Sequence, residues 1–515
     1  MQEEFLKNIV PREYQQNILE TCLKKNCLVV LPTGLGKTLI ALMLTIERMK
    51  EFAGKVVFLA PTKPLAEQHL NYFKKHLTEL FGDMQLFTGM VNATKRKEIW
   101  RTADIIFSTP QCVANDLRKN LYDLKDVCLL IEDEAHRCTK NYDYNYISQQ
   151  YKKQATNPRI LGLTASPGSE TSKIKDICRN LFIEEVELRT REHQDVKKYL
   201  QELEFEKKIV KFPPEFEEIR HILKKLFNQY VEELQSRRIF YGFPSKIELI
   251  KLQKKIFINI GRGSKNFNYM LGASACAQAI KIQHALELLE TQTLSGFNKY
   301  LQNLFKQASQ KQSKGVIKLV AKPEFNFIYM QSNELLAKNI EHPKIQELSE
   351  IVKKEKSQND KIKIIVFTQY RESATIIAKK LNELGGINAK VFVGQAKKQG
   401  TGMNQKEQKK IITEFSSGES NVLCATCIAE EGLDIPEVNI VIFYEPIPSA
   451  IRAIQRTGRT ARLMKGKLIM LITKDTRDET FYYVSRSREK KMHSAISSIK
   501  DDLSNHKLDF QRKLG

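Results

Sequence analysis

The 515-residue chain lacks any apolar run of about 18 residues, the length that a membrane-spanning helix requires. Its start, Met1-Gln2-Glu3-Glu4, lacks the basic and apolar regions of a secretory signal. Neither a membrane span nor secretion is expected. A disulfide framework is missing as well. The nine cysteines (Cys22, Cys27, Cys112, Cys128, Cys138, Cys178, Cys276, Cys424 and Cys427) fall mostly in apolar strand-like or helical runs, as small buried hydrophobes of a reducing cytosol do. Cys424-Ala-Thr-Cys427 has metal or redox spacing, but no second pair or histidine cluster accompanies it, which argues against zinc. Acidic residues are scarce beside basic ones, 60 against 83, leaving a net charge of +23. That imbalance points to a polyanionic partner, nucleic acid first.

What the chain does contain is a loop and a carboxylate pair about a hundred residues apart. Leu31-Pro32-Thr33-Gly34-Leu35-Gly36-Lys37-Thr38 has the make-up of a phosphate cradle. Gly34 and Gly36 let the backbone turn its N–H groups toward phosphate oxygens. Lys37 can reach the β- and γ-phosphates, and Thr38 offers a hydroxyl to Mg²⁺ where the next helix starts. Leu31 stands where the strict form of this loop has glycine. Further on, the apolar run 127–131 ends in Glu132-Asp133-Glu134-Ala135-His136, a buried strand delivering carboxylates to its C-terminal edge. There one of the pair Asp133 and Glu134 can hold Mg²⁺ while its neighbour polarises the attacking water. Either stretch alone has an ordinary alternative, a strand–helix turn or a solvated loop. Both in order, each after a strand-like run, argue for ATP hydrolysis.

A composition of 42% hydrophobic and 28% charged residues describes a globular protein, and this length exceeds one core, so two or three domains are expected. Strand-like runs at 27–31, 56–60, 104–108, 127–131 and 160–164 alternate with amphipathic stretches, the signature of βαβ units around a parallel sheet. The rhythm returns at 362–368, 389–393, 422–425, 440–444 and 467–473. Between about residues 190 and 345 it stops, and helical patterns rich in Lys, Gln and Leu dominate, as at 217–234 and 276–289. The expected fold is α/β, with parallel-sheet domains at 1–188 and 346–515, the latter ending in a helix, and a helical insert at 189–345. Charge concentrates in that insert. Residues 251–320 hold eleven Lys and Arg (Lys251, Lys254, Lys255, Arg262, Lys265, Lys281, Lys299, Lys306, Lys311, Lys314 and Lys318) against Glu287 and Glu290, an excess best explained by phosphate contacts. Phe257, Phe267 and Tyr269 are interleaved, and aromatics in such helices are expected in the core rather than stacked on bases.

The second sheet separates a motor from a simple kinase or GTPase. Gln455-Arg456-Thr457-Gly458-Arg459-Thr460-Ala461-Arg462 follows the strand-like run at 440–444. Arg459 and Arg462, three apart, share a helix face and could both reach a γ-phosphate held by the first domain.

With these residues on the page, the chain resembles superfamily 2 helicases along nearly its whole length. Pro11-Arg12-Glu13-Tyr14-Gln15 resembles the upstream element whose Gln reads adenine. Ala60 to Gln68, Thr88-Gly89 and Ser108-Thr109-Pro110-Gln111 resemble the strand-binding motifs, and Thr164-Ala165-Ser166 the element that couples the domains. Val366 to Arg371 and Glu430 to Pro436 match the remaining motifs. Within the superfamily the similarity is to the archaeal Hef helicase and its FANCM relatives, carried by Thr109 to Leu117 and by Ala429 to Arg462, with the basic helical insert as a shared feature. Ala461 stands where that family usually has glycine.

The resemblance implies two RecA-like motor domains that bind ATP and Mg²⁺ between them. Arg12, Gln15, Pro32, Thr33, Gly34, Leu35, Gly36, Lys37, Thr38 and Asp434 would hold the nucleotide, with Thr38 and Asp133 on the metal. Lys37, Asp133, Glu134, Arg459 and Arg462 would carry catalysis. Thr62, Lys63, Thr88, Gly89, Thr109, Pro110, Thr368 and Thr426 would hold a nucleic-acid strand, and His136, Thr164, Ser166 and Gln455 would couple the two events. The implied activity is a 3′→5′ helicase or translocase on forked or branched DNA, in the cytoplasm at the nucleoid. The chain ends at Gly515 with no room for the XPF-like nuclease often fused to Hef, so fork cleavage is not expected and a nuclease would be a separate partner. Two rivals stay open at this point: an RNA helicase or RNA-stimulated ATPase on the same motor, and a non-enzymatic ATP-gated clamp.

Overall fold

The computed structural model describes residues 5–78, 81–262, 267–394, 402–426, 435–449, 460 and 465–505. In the first third, short apolar runs become β1 (Cys27–Val30), β2 (Lys55–Leu59), β3 (Met84–Phe87), β4 (Ile105–Ser108), β5 (Val127–Asp133), β6 (Ile160–Thr164) and β7 (Glu185–Leu188). They pair in parallel in the order β3-β4-β2-β5-β6-β1-β7. Helix α1 (Glu13–Lys24) leads into β1, and the crossovers that parallel neighbours need are supplied by α2 (Lys37–Phe52), α3 (Lys63–His76), α4 (Ala93–Thr102), α5 (Pro110–Arg118), α6 (Asp143–Gln154) and α7 (Thr171–Asn180). Helices cover both faces, so β1 and β5 are buried throughout and read as continuous apolar runs. Two apolar clusters fill the layers, one between the sheet and α2 and α3, the other between the sheet and α5, α6 and α7.

A short helix, α8 (Gln194–Lys197), leads to a second parallel sheet. Its strands are β8 (Leu203–Val210), β9 (Ile364–Phe367), β10 (Ala389–Phe392), β11 (Val422–Ala425), β12 (Ile440–Phe443) and β13 (Gly466–Thr473), in the order β10-β11-β9-β12-β13-β8. Strand β8 lies inside the span that the sequence assigns to the insert, yet it pairs residue by residue with β13, from Leu203 beside Gly466 to Val210 beside Thr473. Its Glu-Phe-Glu-Lys-Lys run hides it from periodicity, because an edge strand exposes one side and carries charge there. Glu204 and Glu206 meet Lys467 of β13. Strands β3 and β7 escape sequence reading for the same reason, as short edge strands with half-buried positions.

Between β8 and β9 lies the insert: α9 (Glu217–Ser236), α10 (Lys246–Gly261), α11 (Phe267–Thr291), α12 (Leu294–Ser309), α13 (Lys314–Val320) and α14 (Pro323–Ala337), around their own apolar core. Then α15 (Lys344–Gln358), α16 (Arg371–Leu381) and α17 (Gln405–Ser417) complete the second sheet domain. The last helix, α18 (Arg477–Ser504), leaves β13 and runs back about 40 Å at 1.5 Å per residue. Its far end packs Met492, Ala495, Ile496, Ile499 and Leu503 into the first domain's core beside Ile174, Ile177 and Leu181. The C-terminal helix thus belongs by sequence to the second motor domain and by packing to the first. Among the described residues, no helix is long and apolar enough to cross a membrane.

Candidate nucleotide site and strand-binding rim

Every residue singled out in the first domain lies at the C-terminal edge of its sheet, where open α/β sheets bind ligands. After β1 the chain turns through Gly34 and Gly36, both with left-handed φ (86° and 75°), before α2 begins at Lys37. The left-handed φ of Gly36 favours glycine, and a Cβ there would displace the Gln15 amide from its place over the loop. Tyr14 OH and Gln15 Nε2 donate to the Leu35 carbonyl at 2.8 and 3.1 Å, pinning the loop from α1. Arg12 caps that helix and its backbone N–H donates to Gln15 Oε1 at 2.8 Å. Lys37 Nζ donates to the Leu31 carbonyl at 2.9 Å. The Thr33 hydroxyl is buried without a hydrogen-bond partner among the described residues. An orphaned hydroxyl, an ammonium and a helix N-terminus bearing Thr38 form a donor set that fits a triphosphate.

The carboxylates follow β5. Asp133 Oδ2 lies 2.8 Å from His69 Nε2 on α3, and the Asp133 carbonyl accepts from Tyr144 OH at 2.7 Å. Burial alone would raise the Asp133 pKa, but the His69 hydrogen bond, the charges of His69 and Lys37 and the Glu134 N–H outweigh it and hold the group low. It stays an anion, as a Mg²⁺ ligand must. Glu134 adopts a left-handed φ of 52°, uncommon for a residue with a side chain and a form of strain that concentrates at functional sites. One residue earlier, Glu132 is fully buried, and burial pushes its pKa up to about 8 despite a hydrogen bond from Ser148. His69 and Tyr144 were not singled out from sequence. Neither carries a spacing signal, and only the fold brings them to Asp133.

A polar chain leaves the carboxylates. His136 Nδ1 lies 3.2 Å from Glu134 Oε2 and 3.3 Å from Thr164 Oγ1, and Thr164 Oγ1 exchanges hydrogen bonds with the Ser166 backbone at 3.1 Å. The Ser166 hydroxyl donates to Met492 Sδ on α18 at 2.9 Å. His136, Thr164 and Ser166 are thus brought together and end on the helix that arrives from the second domain.

On the other half of the same edge, β3, β4 and β2 are neighbours. Thr62 caps α3 with no side-chain hydrogen bond and Lys63 opens the helix; Thr109 does the same for α5, with Pro110 behind it. Thr88 is buried after β3, and Gly89 is exposed beside open space. Helix N-termini and threonines along one rim are what a phosphate backbone needs. Arg96, buried against Asp116 at 2.5 Å, also donates to the Thr88 carbonyl and fixes this loop.

In the second sheet Thr368 follows β9 and Thr426 follows β11, both buried. The Thr368 hydroxyl donates to Gln292 Oε1 at 3.3 Å, an acceptor it shares with Ser373 at 2.8 Å, so a strand would meet the backbone there. Asp434, Gln455, Arg459 and Arg462 lie outside the described residues. Sequence gave no hint of the joint around Gln292. Lys344, wholly buried, donates to Asp478 at 2.6 Å, to the Thr291 carbonyl at 2.8 Å and to the Tyr444 carbonyl at 3.0 Å, tying insert, second sheet and α18 at one point. Glu287 of α11 accepts from Tyr370 OH at 2.8 Å and Lys246 Nζ at 2.6 Å. Burial would raise its pKa, but His284, Lys246 and Tyr370 bring it down to about 2.

A depressed carboxylate stabilises the fold in full above its ordinary pKa and loses that contribution as pH falls toward the folded value. Acid is therefore expected to loosen this joint between about pH 4.5 and 2, costing on the order of 3 kcal/mol. Thermal melts of wild type and Glu287→Gln across that window check it. The variant should be the less stable at neutral pH and the gap should close in acid; a constant gap would refute the assignment.

Comparison with known proteins agrees with this geometry. The family described as "DEAD/DEAH box helicase" matches residues 12–174, "Helicase conserved C-terminal domain" matches 343–464, and "Putative ATP-dependent RNA helicase, helical bundle" matches 215–334. A Methanocaldococcus jannaschii protein described as "Putative ATP-dependent RNA helicase" is 37% identical over 96% of this chain and 61% of its own length. The Neurospora crassa ATP-dependent DNA helicase mph1 is 35% identical over 91% of this chain and 41% of its own length. The chain thus spans about half the length of these relatives. The crystal structure of the Pyrococcus furiosus Hef helicase domain is 40% identical, with a TM-score of 0.70, over 92% of this chain and 98% of that one. With two parallel-sheet domains, a helical insert between them and a glycine loop beside a carboxylate pair, the chain belongs to the Hef/FANCM-type superfamily 2 helicases.

Proposed function

We propose that this motor hydrolyses ATP to move 3′→5′ along one strand of forked or branched DNA, in the service of replication-fork repair and recombination. The observation that carries the reading is the division of one sheet edge. Loops after β1, β5 and β6 gather the glycine loop, the carboxylates and the Thr164–Ser166 turn, which suits a nucleotide, while loops after β2, β3 and β4 gather helix N-termini and threonines, which suits a phosphate backbone. Relatives named as DNA helicases favour DNA, including the Drosophila melanogaster DEAD-box ATP-dependent DNA helicase Fancm, which is 31% identical over 90% of this chain and 33% of its own length. A cytoplasmic, nucleoid-associated location and a separate nuclease or repair partner complete the proposal.

In the cycle, the loop amides and Lys37 hold the β- and γ-phosphates, and Glu134 takes the proton from the attacking water. Bound Mg²⁺, held by Thr38 and Asp133, would neutralise charge on the phosphates. Arg459 and Arg462 close from the second domain. Loss of phosphate contacts then reopens the cleft, and threonines and amides on both domains hold the strand alternately, so that each cycle advances the protein. Backbone contacts carry little sequence information, which leaves junction shape as the recognised feature.

ATP turnover measured with single-stranded DNA, forked DNA, a four-way junction and RNAs of matching sequence tests the reading. Stimulation is expected with DNA, with strand displacement when the loading strand is 3′-tailed. Greater stimulation by RNA would shift the proposal to the RNA motor that the Methanocaldococcus relative is named for.

A further inference from the structure

Helix α10 has two apolar faces, and one has no partner among the described residues. Leu249, Leu252 and Ile256 are buried in the insert core. On the opposite side Ile247, Ile250, Phe257 and Ile258 are 62%, 37%, 57% and 54% exposed. Their offsets of 3, 10 and 11 residues from Ile247 place all four on one stripe, and Lys251 and Lys254, at offsets of 4 and 7, lie on it too. Lys255 and Arg262 flank it, both exposed. The turn leading into the helix adds Tyr241 and Phe243, 79% and 84% exposed. Phe257 therefore departs from the sequence expectation of a core aromatic. Tyr269, half-buried, does pack against that core, and the Phe267 side chain lies outside the described residues. Soluble proteins rarely leave so many large apolar groups together in water without a use.

The charge around the stripe says what covers it. Between residues 241 and 262 the bases are Lys246, Lys251, Lys254, Lys255 and Arg262, and the one acid, Glu248, is paired with Lys251 at 2.7 Å. A second copy of this face would bring lysines against lysines. A polyanion removes that repulsion, but phosphates alone leave Tyr241, Phe243 and Phe257 uncovered. Nucleic acid whose bases are unstacked offers both chemistries at once, phosphates for the lysines and π-faces for the aromatic rings, with isoleucines acting as apolar wedges. In an intact duplex those base faces are hidden. They become available at a branch point or along a single-stranded arm.

We propose that the outer face of α10 and the Tyr241–Phe243 turn bind unpaired bases at the branch of a nucleic-acid substrate. The proposal rests on the reading of the chain as a nucleic-acid motor, and it replaces shape recognition through phosphates alone with recognition through exposed bases. The face then marks where strands part while the motor cleft grips the backbone elsewhere.

Salt separates the two kinds of contact. Apolar and stacking contacts release no counterions, whereas each neutralised phosphate adds about 0.9 to the slope of log affinity against log salt on duplex DNA. The full chain carrying Phe243→Ala and Phe257→Ala, positions whose exposure spares the core, is titrated with a fork bearing unpaired bases at its junction and with a blunt duplex of equal length, at several salt concentrations. Fork affinity should fall about 5- to 100-fold, the range for losing one stacked base, with an unchanged salt slope and unchanged duplex affinity. The triple variant Lys251→Ala, Lys254→Ala, Lys255→Ala should instead flatten the slope by up to about three contacts. Turnover driven by saturating single-stranded DNA should persist in both. Wild-type fork affinity in the aromatic variant would overturn the proposal and leave the stripe to a protein partner. Equal loss on fork and duplex would overturn it too, showing a general binding surface. If wild type itself neither binds nor responds to nucleic acid, the failure lies in the motor reading and not in α10.

Discussion

Replacing Glu134 with Gln is expected to leave ATP bound and to slow its hydrolysis by about 10²–10⁴-fold, the usual cost of losing a positioned base. The amide keeps the size and shape of the carboxylate, so the tight turn at φ 52° and the approach of His136 should survive. What disappears is the capacity to take a proton. Asp133 cannot substitute, because His69 holds one of its oxygens at 2.8 Å and the Lys37 charge keeps it an anion suited to metal. Lys37→Ala should behave differently. It removes the charge that binds the phosphates, so nucleotide affinity and turnover should fall together. Equilibrium binding of a nucleotide, set beside single-turnover hydrolysis, distinguishes the two variants. A Glu134→Gln protein that hydrolyses ATP at the wild-type rate would end the base assignment.

The glycine loop and the carboxylate pair of the candidate site were legible from sequence because each is made locally. A glycine loop between a strand and a helix, and carboxylates at a strand end, are each set by a few consecutive residues. The central strands were legible for a related reason: burial on both faces leaves an unbroken apolar run, as in β5. Of the four edge strands β10 was read as an apolar run, whereas β3, β7 and β8 were not. The Glu-Phe-Glu-Lys-Lys run of β8 pairs with a strand more than 250 residues later, and no local pattern announces that. Likewise His69, Gln292 and the Lys344–Asp478 pair gain their roles through contacts between distant segments. Helix α18 is the sharpest case. Its apolar positions could be read as a helix face, but which core they enter depends on where the second sheet sets its start. Asp478 and Lys344 fix that start, and Met492 then meets Ser166.

Arg459→Ala and Arg462→Ala are expected to reduce ATP hydrolysis by roughly 10³-fold or more, with far less change in nucleotide affinity. The two arginines lie outside the described residues, but their neighbour Thr460 does not. It is wholly buried, and its hydroxyl donates to the carbonyls of Val438 at 2.7 Å and Asn439 at 3.2 Å, just before β12. Thr460 is therefore anchored to the start of β12, near the centre of the second sheet. Arginine suits the task because its planar fork stays charged and can bridge two phosphoryl oxygens as negative charge develops. Substitution by lysine should recover little, since an ammonium cannot reproduce the fork. The measurement is turnover against ATP concentration, in the presence of saturating single-stranded DNA, for the alanine and lysine variants. A collapse in kcat with KM nearly unchanged is the expected signature of groups that act in the transition state. If both alanine variants turn over ATP normally, the arginines belong to a basic surface and closure of the domains must be signalled another way, for which the packing of α18 on the first domain, with its Ser166–Met492 contact, is one physical link.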